Sequence, residues 1–282
     1  MNQDEVVKSF WKREVRDLFR RAGDVALDLQ KKSHPRLKHD NSVVTDADLQ
    51  ISQIFQQGLS GMKAQGHLLI DEEVLESQQG LTQAVLESHR YIWVLDPIDG
   101  TLAYANGMSF YGISLGVLKD LKPWLGGVYF PSVGEFFVSD GDETHFIEKA
   151  FSSQETSQRI TPVDQEINRQ TFFFATESFF KKYKWDHSLC LLMSVPSAVS
   201  NLCWPAVGRG VGCLFDASLW DFVGSWAVFE AAGLRLHNIS TGEPLEKIHT
   251  DLFMGTEARP WRVKEKYILS SSRNFPIIAK NL

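Results

Sequence analysis

Two aspartates, Asp96 and Asp99, stand three residues apart in segment 93–101, which reads Trp-Val-Leu-Asp-Pro-Ile-Asp-Gly-Thr. The apolar run just before them predicts a buried strand. Carboxylates at the end of a buried strand are costly unless a charge compensates them, and carboxylate oxygens are ligands that Mg²⁺ prefers. Gly100 and Thr101 follow directly and offer main-chain N–H groups to an anion. A cation site beside an anion site indicates a phosphate ester as the substrate.

Further acidic residues stand at the predicted ends of other elements, and each is ambiguous by itself. Asp48 follows Thr45 and Asp46, either of which is a plausible helix N-cap. Glu72 lies in the acidic run 71–73 that follows a short apolar strand, and Asp221 begins an apolar helix, where it could be an N-cap or a first-turn acid. A joint site explains all of them, because two or three Mg²⁺ ions would neutralise the carboxylates, ionise a water and stabilise the leaving oxygen.

A different class of phosphatase carries a similar motif and has to be weighed. Phosphatases of the haloacid dehalogenase class contain Asp-x-Asp-Gly-Thr, in which the first aspartate attacks phosphorus. The two aspartates here are three residues apart rather than two, which changes their relative direction, and long segments precede them. The shared magnesium site is therefore the better interpretation.

The hydrophobic pattern predicts the elements that would position these side chains. Helices are expected at 4–30, behind Thr45 or Asp46, at 187–192 and at 219–232. Strands are expected at 67–70, 91–95, 111–118, 124–130, 134–139, 172–175, 211–215 and 267–272. The polar stretch 152–168 is the candidate boundary between two halves of the chain. We therefore expect an N-terminal α+β half, 1–150, with most metal ligands, and a C-terminal α/β half, 151–282, with Asp221 and the substrate contacts.

Composition restricts the class of protein. Hydrophobic residues make up 43% of the 282 residues, which allows a large core, and the net charge of −6 argues against a dedicated nucleic-acid binder. The three cysteines form no CxxC pair, which favours buried thiols in a reducing cytoplasm. Residues 1–5 form no apolar signal segment, and no apolar run reaches the roughly 20 residues of a membrane helix. We expect a cytoplasmic protein with no membrane association.

Taken in order, these motifs resemble those of the inositol monophosphatase family. That family belongs to a lithium-sensitive, magnesium-dependent superfamily that includes fructose-1,6-bisphosphatases and 3′,5′-bisphosphate nucleotidases. The matching segments, in order over nearly the whole chain, are Val44–Asp48, Asp71–Glu73, where the family usually has Gly-Glu-Glu, Trp93–Thr101, Leu219–Asp221 and Glu230–Gly233. Several motifs in the right order are far more specific than any one of them.

The resemblance implies a fold and a set of residue roles. The fold would be a layered αβαβα sandwich of the α/β (α+β) class, often dimeric. Glu72, Asp96 and the Ile98 carbonyl would hold a first Mg²⁺, and Glu72 would also touch a weaker third one. Asp96, Asp99 and Asp221 would hold the second. The catalytic residues would be Glu72, Thr101 and Asp48, with Thr101 and Asp48 orienting a metal-activated water that attacks directly. Main-chain N–H groups of Gly100 and Thr101 would bind the phosphate.

The chain departs from the family pattern where the substrate is chosen. Val195–Ala198 stands where inositol monophosphatases usually have a glycine-containing segment, and Asp71 adds a charge beside the metal site. Ser197, Arg209 and Asp216 are candidate substrate contacts. A capped turn, a surface cation and an ordinary N-cap are equally good explanations of these three.

Three functions therefore stay open. The first is a Mg²⁺-dependent phosphomonoesterase that acts on a small polyol or sugar phosphate similar to inositol 1-phosphate. The second is a 3′,5′-bisphosphate nucleotidase or a fructose-1,6-bisphosphatase, for which Trp185, Trp204 and the basic run 181–184 could supply a purine pocket and a second phosphate site. The third is a protein-binding platform with residual phosphatase activity. The expected partners are a small phosphorylated metabolite and a second copy of the chain.

Overall fold

Two β-sheets and the helices that cover them form the computed structural model, which describes residues 2–31, 35–37, 43–74, 80–255 and 260–282. The helices are α1 (Gln3–Phe10), α2 (Arg16–Gln30), α3 (Asp46–Gly58), α4 (Ser60–Ala64), α5 (Gln83–Glu87), α6 (Thr101–Ala105), α7 (Glu177–Lys182), α8 (Ala198–Cys203), α9 (Trp220–Ala231) and α10 (Phe275–Lys280), with 3₁₀ turns at Trp204–Val207 and Thr250–Leu252.

The strands fall into a two-stranded ribbon, a seven-stranded sheet and a five-stranded sheet. The ribbon contains β1 (Arg36–Leu37) and β2 (Val43–Val44). The larger sheet contains β3 (Leu68–Asp71), β4 (Tyr91–Asp99), β5 (Gly112–Lys119), β6 (Lys122–Phe130), β7 (Glu135–Ser139), β8 (Thr144–Glu148) and β9 (Thr156–Arg159). The smaller sheet contains β10 (Phe172–Ala175), β11 (Leu191–Ser194), β12 (Gly212–Phe215), β13 (Arg235–Asn238) and β14 (Tyr267–Ser270).

The seven-stranded sheet follows the chain order from β3 to β9. β3 and β4 pair in parallel, and each later neighbour pairs antiparallel. The prediction of antiparallel strands joined by short turns is confirmed. β9 lies inside the polar stretch that marked a boundary, so part of that stretch belongs to the first sheet. The division at residue 150 stays a prediction.

The five-stranded sheet has the order β11-β10-β12-β14-β13, with β10 parallel to both of its neighbours. The predicted helix at 187–192 is wrong. Residues 187–189 form a turn, and the apolar run after it is strand β11, in which Leu191 pairs with Phe172. A short apolar run has no periodicity that separates a helix from a buried strand. Pairing with a distant strand therefore decided its conformation.

The helices and sheets form five layers, which are recognised from the side chains that pack together in each core. One face of the larger sheet packs against α1, α2 and α3 through residues such as Trp93, Phe19 and Phe55. Its other face shares a core with α8, α9 and the inner face of the smaller sheet, and this core contains Val94 and Trp226. The outer face of the smaller sheet packs against α7 and α10. The αβαβα sandwich is confirmed.

The N-terminal segment forms the continuous helix that its periodicity predicts, with one irregularity. α1 and α2 are joined by a π-helical turn at Trp11–Val15. Both ends of this turn, Trp11 and Val15, are buried against the larger sheet. None of the described helices combines the length and the apolar composition needed to cross a bilayer.

Helix α9 approaches the larger sheet closely at three glycines, Gly116, Gly126 and Gly224. A Cβ on Gly116 or Gly126 of the sheet would meet a carbonyl oxygen of the helix, that of Val223 or Gly224, at 2.4 Å. A Cβ on Gly224 would meet the Ser114 hydroxyl at 2.2 Å. Only residues without a Cβ allow α9 and the sheet to approach so closely. The close approach brings the N-terminus of α9 near the end of β4.

Candidate active site

Strand β4 directs Asp96 toward helix α9. Alternate residues of a strand face the same side, and Ile92 and Val94 lie in the core shared with α9. Asp221 is the second residue of α9, where its carboxylate accepts a hydrogen bond of 2.5 Å from the Ser218 N–H. Asp96, Asp99 and Asp221 each contribute a carboxylate oxygen to a group whose atoms lie within 4.8 Å of one another. The tertiary structure therefore unites residues that are more than a hundred positions apart.

The carboxylate of Asp99 is held by the start of α8. It accepts hydrogen bonds from the Ser197 hydroxyl, from the Ala198 N–H at 3.1 Å and from the Val199 N–H at 3.2 Å. Burial nevertheless raises the pKa of Asp99 to about 6. These donors fix the direction of the carboxylate and leave its charge only partly compensated.

Asp96 lacks the hydrogen-bond donors that Asp99 has among the described residues. Both of its carboxylate oxygens are buried, and within the described residues neither has a hydrogen-bond donor. Burial, followed by the charges of Glu72, Asp99 and Asp221, raises the pKa of Asp96 well above its usual value. The pKa of Asp221 is raised for the same reasons.

Buried acceptors that converge without donors are stable only if a cation or a proton joins them. Hard carboxylate oxygens at this separation suit a divalent cation such as Mg²⁺. The arrangement of Asp96, Asp99 and Asp221 therefore fits a metal centre, as the sequence predicted.

Glu72 reaches the same place from strand β3. Its N–H donates to the Leu95 carbonyl at 3.2 Å, which continues the β3–β4 pairing by one residue and sets Glu72 beside Asp96. Its charge is the first after burial among the causes that raise the pKa of Asp96. The structure thus brings Glu72 to the three aspartates, and its role as a metal ligand stays a prediction.

Thr101 and Asp48 meet as the sequence predicted. The Thr101 hydroxyl lies 3.0 Å from the Ile98 carbonyl oxygen and 3.5 Å from a carboxylate oxygen of Asp48. Thr45 is the N-cap of α3, and Asp48 accepts from its N–H at 2.8 Å and from its hydroxyl at 2.5 Å. The capping box therefore holds Asp48 in a fixed position, and its other oxygen faces Thr101.

Gly100 forms the turn between β4 and α6. Its φ of +85° is a conformation that L side chains rarely adopt, and an added Cβ would lie 2.7 Å from the Phe110 carbonyl oxygen and 3.0 Å from that of Pro196. Only glycine satisfies both conditions. Because residue 100 has no side chain, none at that position lies beside the main-chain N–H groups of Gly100 and Thr101.

Asp71 stands directly before Glu72, and the expectation that it adds charge beside the metal site stays a prediction. Its side chain is fully buried and turned toward α3, where it accepts from the Ser52 hydroxyl at 2.7 Å and the Gln56 amide at 2.8 Å. Burial raises its pKa, and these hydrogen bonds oppose that change.

Two of the predicted substrate contacts have partners within the protein. Arg209 makes a bidentate ion pair with Glu135, with both distances 2.7 Å, and its guanidinium lies 5.2 Å from the Phe146 ring centre. Ser197 is the N-cap of α8 and donates to Asp99. These contacts give both residues a structural task, so their contact with substrate stays a prediction.

Asp216 lies among cations that the sequence did not single out. Its carboxylate is 2.6 Å from the Lys266 ammonium and 3.4 Å from the Arg262 guanidinium, and it accepts from the Ser178 hydroxyl at 2.5 Å. The hydrogen bond and charge of these partners lower its pKa although burial opposes them. The pairing of β12 with β14 and of Ser218 with Arg262 brings this distant segment beside Asp216, so no local signal could have revealed it.

The two tryptophans proposed for a purine pocket are used in packing. Trp185 stacks on Phe173 at 5.1 Å and donates from its indole N–H to the Cys190 carbonyl. Trp204 contacts Phe130 and Phe174 at ring-centre distances of 6.4 and 5.7 Å. These contacts give both rings a structural task, and the purine pocket stays a prediction.

Comparisons with known proteins agree with this geometry. Residues 9–274 match the sequence profile of the Inositol monophosphatase family. A 3′(2′),5′-bisphosphate nucleotidase CysQ of Aggregatibacter actinomycetemcomitans is 31% identical over 104 residues, a match that spans 37% of each chain. CysQ of Escherichia coli K12 is 23% identical over 86% of this chain and 95% of its own. An inositol monophosphatase structure from Anabaena has a TM-score of 0.70 at 18% identity, covering 98% and 95% of the two chains.

Proposed function

This chain belongs to the inositol monophosphatase family, a family of phosphoric monoester hydrolases, and we propose that it is a Mg²⁺-dependent phosphomonoesterase. Its substrate would be a small polyol or sugar phosphate. The observation that carries the proposal is the convergence of Asp96, Asp99 and Asp221 within 4.8 Å, with Glu72 beside them. A carboxylate cluster that is only partly supported by donors needs cations, and phosphoryl transfer needs cations in such a position.

The proposed metal ligands divide between two ions. Glu72, Asp96 and the Ile98 carbonyl would hold one, and Asp96, Asp99 and Asp221 the other, with a weaker third ion at Glu72. Bound divalent cations supply Lewis acidity, which lowers the pKa of water and stabilises charge on the leaving oxygen. The hydrogen bonds from Ser197, Ala198 and Val199 fix the orientation of Asp99, which supports its proposed role as a ligand.

Thr101 would orient the attacking water. Its hydroxyl proton has two acceptors, the Ile98 carbonyl at 3.0 Å and Asp48 at 3.5 Å. Once the proton is committed to either acceptor, the lone pairs of the hydroxyl oxygen can accept a hydrogen bond from a water. The N–H groups of Gly100 and Thr101 would bind the phosphate oxygens, because they lie in the turn that directly follows Asp99 and begins α6.

The test is phosphate release from a panel of esters that includes inositol 1-phosphate, fructose 1,6-bisphosphate and adenosine 3′,5′-bisphosphate. Each ester is assayed with Mg²⁺, with EDTA, and with Mg²⁺ plus Li⁺. We expect turnover that EDTA abolishes and Li⁺ suppresses. Turnover that persists undiminished in EDTA would contradict the metal mechanism, and the preferred ester would identify the substrate class.

A 3′,5′-bisphosphate nucleotidase is the second candidate, because the relatives reported above include proteins named CysQ. Arg262 and Lys266 place two positive charges against the one of Asp216, which leaves a local excess of positive charge. Ser218 pairs with Arg262 and precedes Asp221 by three residues, so this charge lies near the proposed metal ligands. A second phosphate of the substrate is one group that such a charge would attract.

Lys266→Met tests this candidate, with the exposed Lys264→Met as the matched control. For a bisphosphate substrate we expect kcat/KM to fall about tenfold, since a charge-assisted contact is worth roughly 1.5–3 kcal/mol. The monophosphate rate would stay near that of the wild type. An equal loss on both esters would show that Lys266 only stabilises Asp216.

Three further parts of the proposal rest on likeness to the family. We propose a cytoplasmic protein, sensitivity to Li⁺ and a homodimer. Light scattering at micromolar concentration would test the homodimer, and a mass of one 32.0 kDa chain would contradict it. A protein-binding role remains the alternative if no ester in the panel is hydrolysed although Mg²⁺ binds.

A further inference from the structure

Asp71 is a buried acid at the junction between strand β3 and the candidate metal site. It is the last residue of β3, and Glu72 follows it directly. Its carboxylate is fully buried and accepts hydrogen bonds from the Ser52 hydroxyl at 2.7 Å, the Gln56 amide at 2.8 Å and the Glu73 N–H at 3.0 Å. Two of these bonds join the end of β3 to α3, and the third fixes the backbone just after Glu72.

The two donors on α3 share a helix face with Asp48. Residues 48, 52 and 56 are spaced by four, which places their side chains on one side of a helix. The first of them lies 3.5 Å from the Thr101 hydroxyl, and the other two hold Asp71. One helix face therefore contacts both the residue proposed to orient the water and the strand that carries Glu72.

We infer that Asp71 is a positioning residue that fixes Glu72 and Asp48 relative to each other by joining the end of β3 to α3. The inference rests on the proposed function, because it assigns a task within that site. Removal of the carboxylate would remove the hydrogen bonds that join the segment before Glu72 to α3, so the two would be positioned less precisely relative to each other. The predicted effect falls on metal binding and on turnover, and leaves ester binding almost unchanged.

The side chain of Asp71 is what makes this link. A glycine at this position could make none of the side-chain bonds to Ser52 and Gln56. The connection between the end of β3 and this face of α3 therefore depends on the carboxylate.

Asp71→Asn is the first test, because asparagine keeps the shape but presents an N–H group where one oxygen accepted hydrogen bonds. We expect the Mg²⁺ concentration for half-maximal activity to rise about tenfold and kcat at saturating Mg²⁺ to fall about tenfold, the scale typical of groups that orient metal ligands. KM for the ester would change by less than about twofold, because Asp71 does not face the substrate.

A role in stability alone would lower the melting temperature and leave the Mg²⁺ midpoint and kcat of the folded variant unchanged. A folded Asp71→Asn protein whose Mg²⁺ midpoint and kcat both stay within about twofold of the wild type would overturn the inference. Melting curves of each variant establish that the protein assayed is folded.

Gln56→Ala is the second variant, chosen in case Asp71→Asn does not fold. It removes one of the two side-chain donors and keeps the acid in place. Gln57→Ala, an exposed position on the same helix, is the matched control. We expect Gln56→Ala to raise the Mg²⁺ midpoint and Gln57→Ala to leave it unchanged. Identical midpoints for the two variants would overturn the inference.

Calorimetric titration with Mg²⁺ alone separates this inference from the proposed function. If the wild type hydrolyses no ester, the proposed function fails, but Mg²⁺ affinity can still be compared between the wild type and Asp71→Asn. An affinity about tenfold weaker in the variant would support the positioning role. Equal affinities would overturn it.

Discussion

Among single side chains, Asp96 combines two effects that oppose each other. Its oxygens are buried without donors among the described residues, so its charge destabilises the metal-free fold. The same lack of donors leaves both oxygens available to a cation. A residue of this kind lowers stability in order to create a binding site, and the two effects can be separated by experiment.

Asp96→Asn tests that separation. In EDTA at pH 8 we expect the free energy of unfolding to rise by at least about 1 kcal/mol, because one unit of pKa displacement corresponds to about 1.4 kcal/mol. With Mg²⁺, phosphatase activity would fall at least about 100-fold, since a ligand should matter no less than the groups that orient it. Urea denaturation and the ester assay measure the two quantities. The exposed Asp28→Asn is the control, and a destabilised metal-free Asp96→Asn would contradict the argument.

The raised pKa values of the three aspartates also predict how the stabilisation of the protein by Mg²⁺ depends on pH. The pKa of Asp99 rises from 3.8 to about 6, and those of Asp96 and Asp221 are also raised well above 3.8. An acid whose pKa is higher in the folded than in the unfolded protein contributes stability. That contribution is complete below the pKa of the unfolded state and is lost as pH rises through the pKa of the folded state. The metal-free protein should therefore lose this contribution from about pH 4 upward, through about pH 6 for Asp99.

Mg²⁺ replaces the protons that stabilise the cluster at low pH. We therefore expect the increase in melting temperature caused by Mg²⁺ to be larger at about pH 8 than at about pH 5.5. Thermal scans with Mg²⁺ and with EDTA at both pH values measure the difference. An increase that is larger at the lower pH would contradict the assignment of these groups as metal ligands.

Among the elements, the turn between β4 and α6 is held by a steric requirement at Gly100. We expect Gly100→Ala to destabilise the protein by about 2–4 kcal/mol, which combines backbone strain with a contact that cannot be relieved. Activity would fall as well, because the N–H groups proposed to bind phosphate would move. Denaturation curves and the ester assay measure both effects.

Gly107→Ala is the matched control for this turn. Gly107 also has a positive φ, +74°, but an added Cβ would meet nothing within 4 Å. Its substitution should cost about 1 kcal/mol from strain alone and leave activity unchanged. Equal losses for the two variants would show that the close approach of Phe110 and Pro196 to Gly100 has no effect.

Across the whole molecule, helix α9 joins the two sheets and carries Asp221 to the end of β4. Its contact with the larger sheet depends on Gly224, whose added Cβ would lie 2.2 Å from the Ser114 hydroxyl and 3.0 Å from the Leu115 nitrogen. Since Asp221 is one turn earlier on the same helix, any displacement at Gly224 also moves a proposed metal ligand.

Gly224→Ala should therefore affect stability and metal binding together. We expect a loss of about 1–3 kcal/mol in the free energy of unfolding, the usual cost of overpacking, and a higher Mg²⁺ midpoint in the protein that remains folded. Gly61→Ala, on a helix with open space around the added Cβ, should be neutral or slightly stabilising. An unchanged Mg²⁺ midpoint in Gly224→Ala would show that Asp221 is positioned independently of this contact.

The sequence alone determined the features that depend on neighbouring residues. A helix N-cap at Thr45 or Asp46, the buried strand before Asp96 and the apolar helix that begins at Asp221 were all predictable, because caps and periodicity are local. Resemblance to a family then supplied the αβαβα fold and the residues proposed as metal ligands, which no local pattern contains.

Only the tertiary structure decided the features that depend on distant partners. Pairing with β10 made a strand of the segment predicted as a helix at 187–192. The direction of Asp71 was set by donors on α3, and the partner of Arg209 was a glutamate 74 residues earlier in the chain. Sequence periodicity reports which face of an element is apolar. It does not report which other element will cover that face or compensate a charge on it.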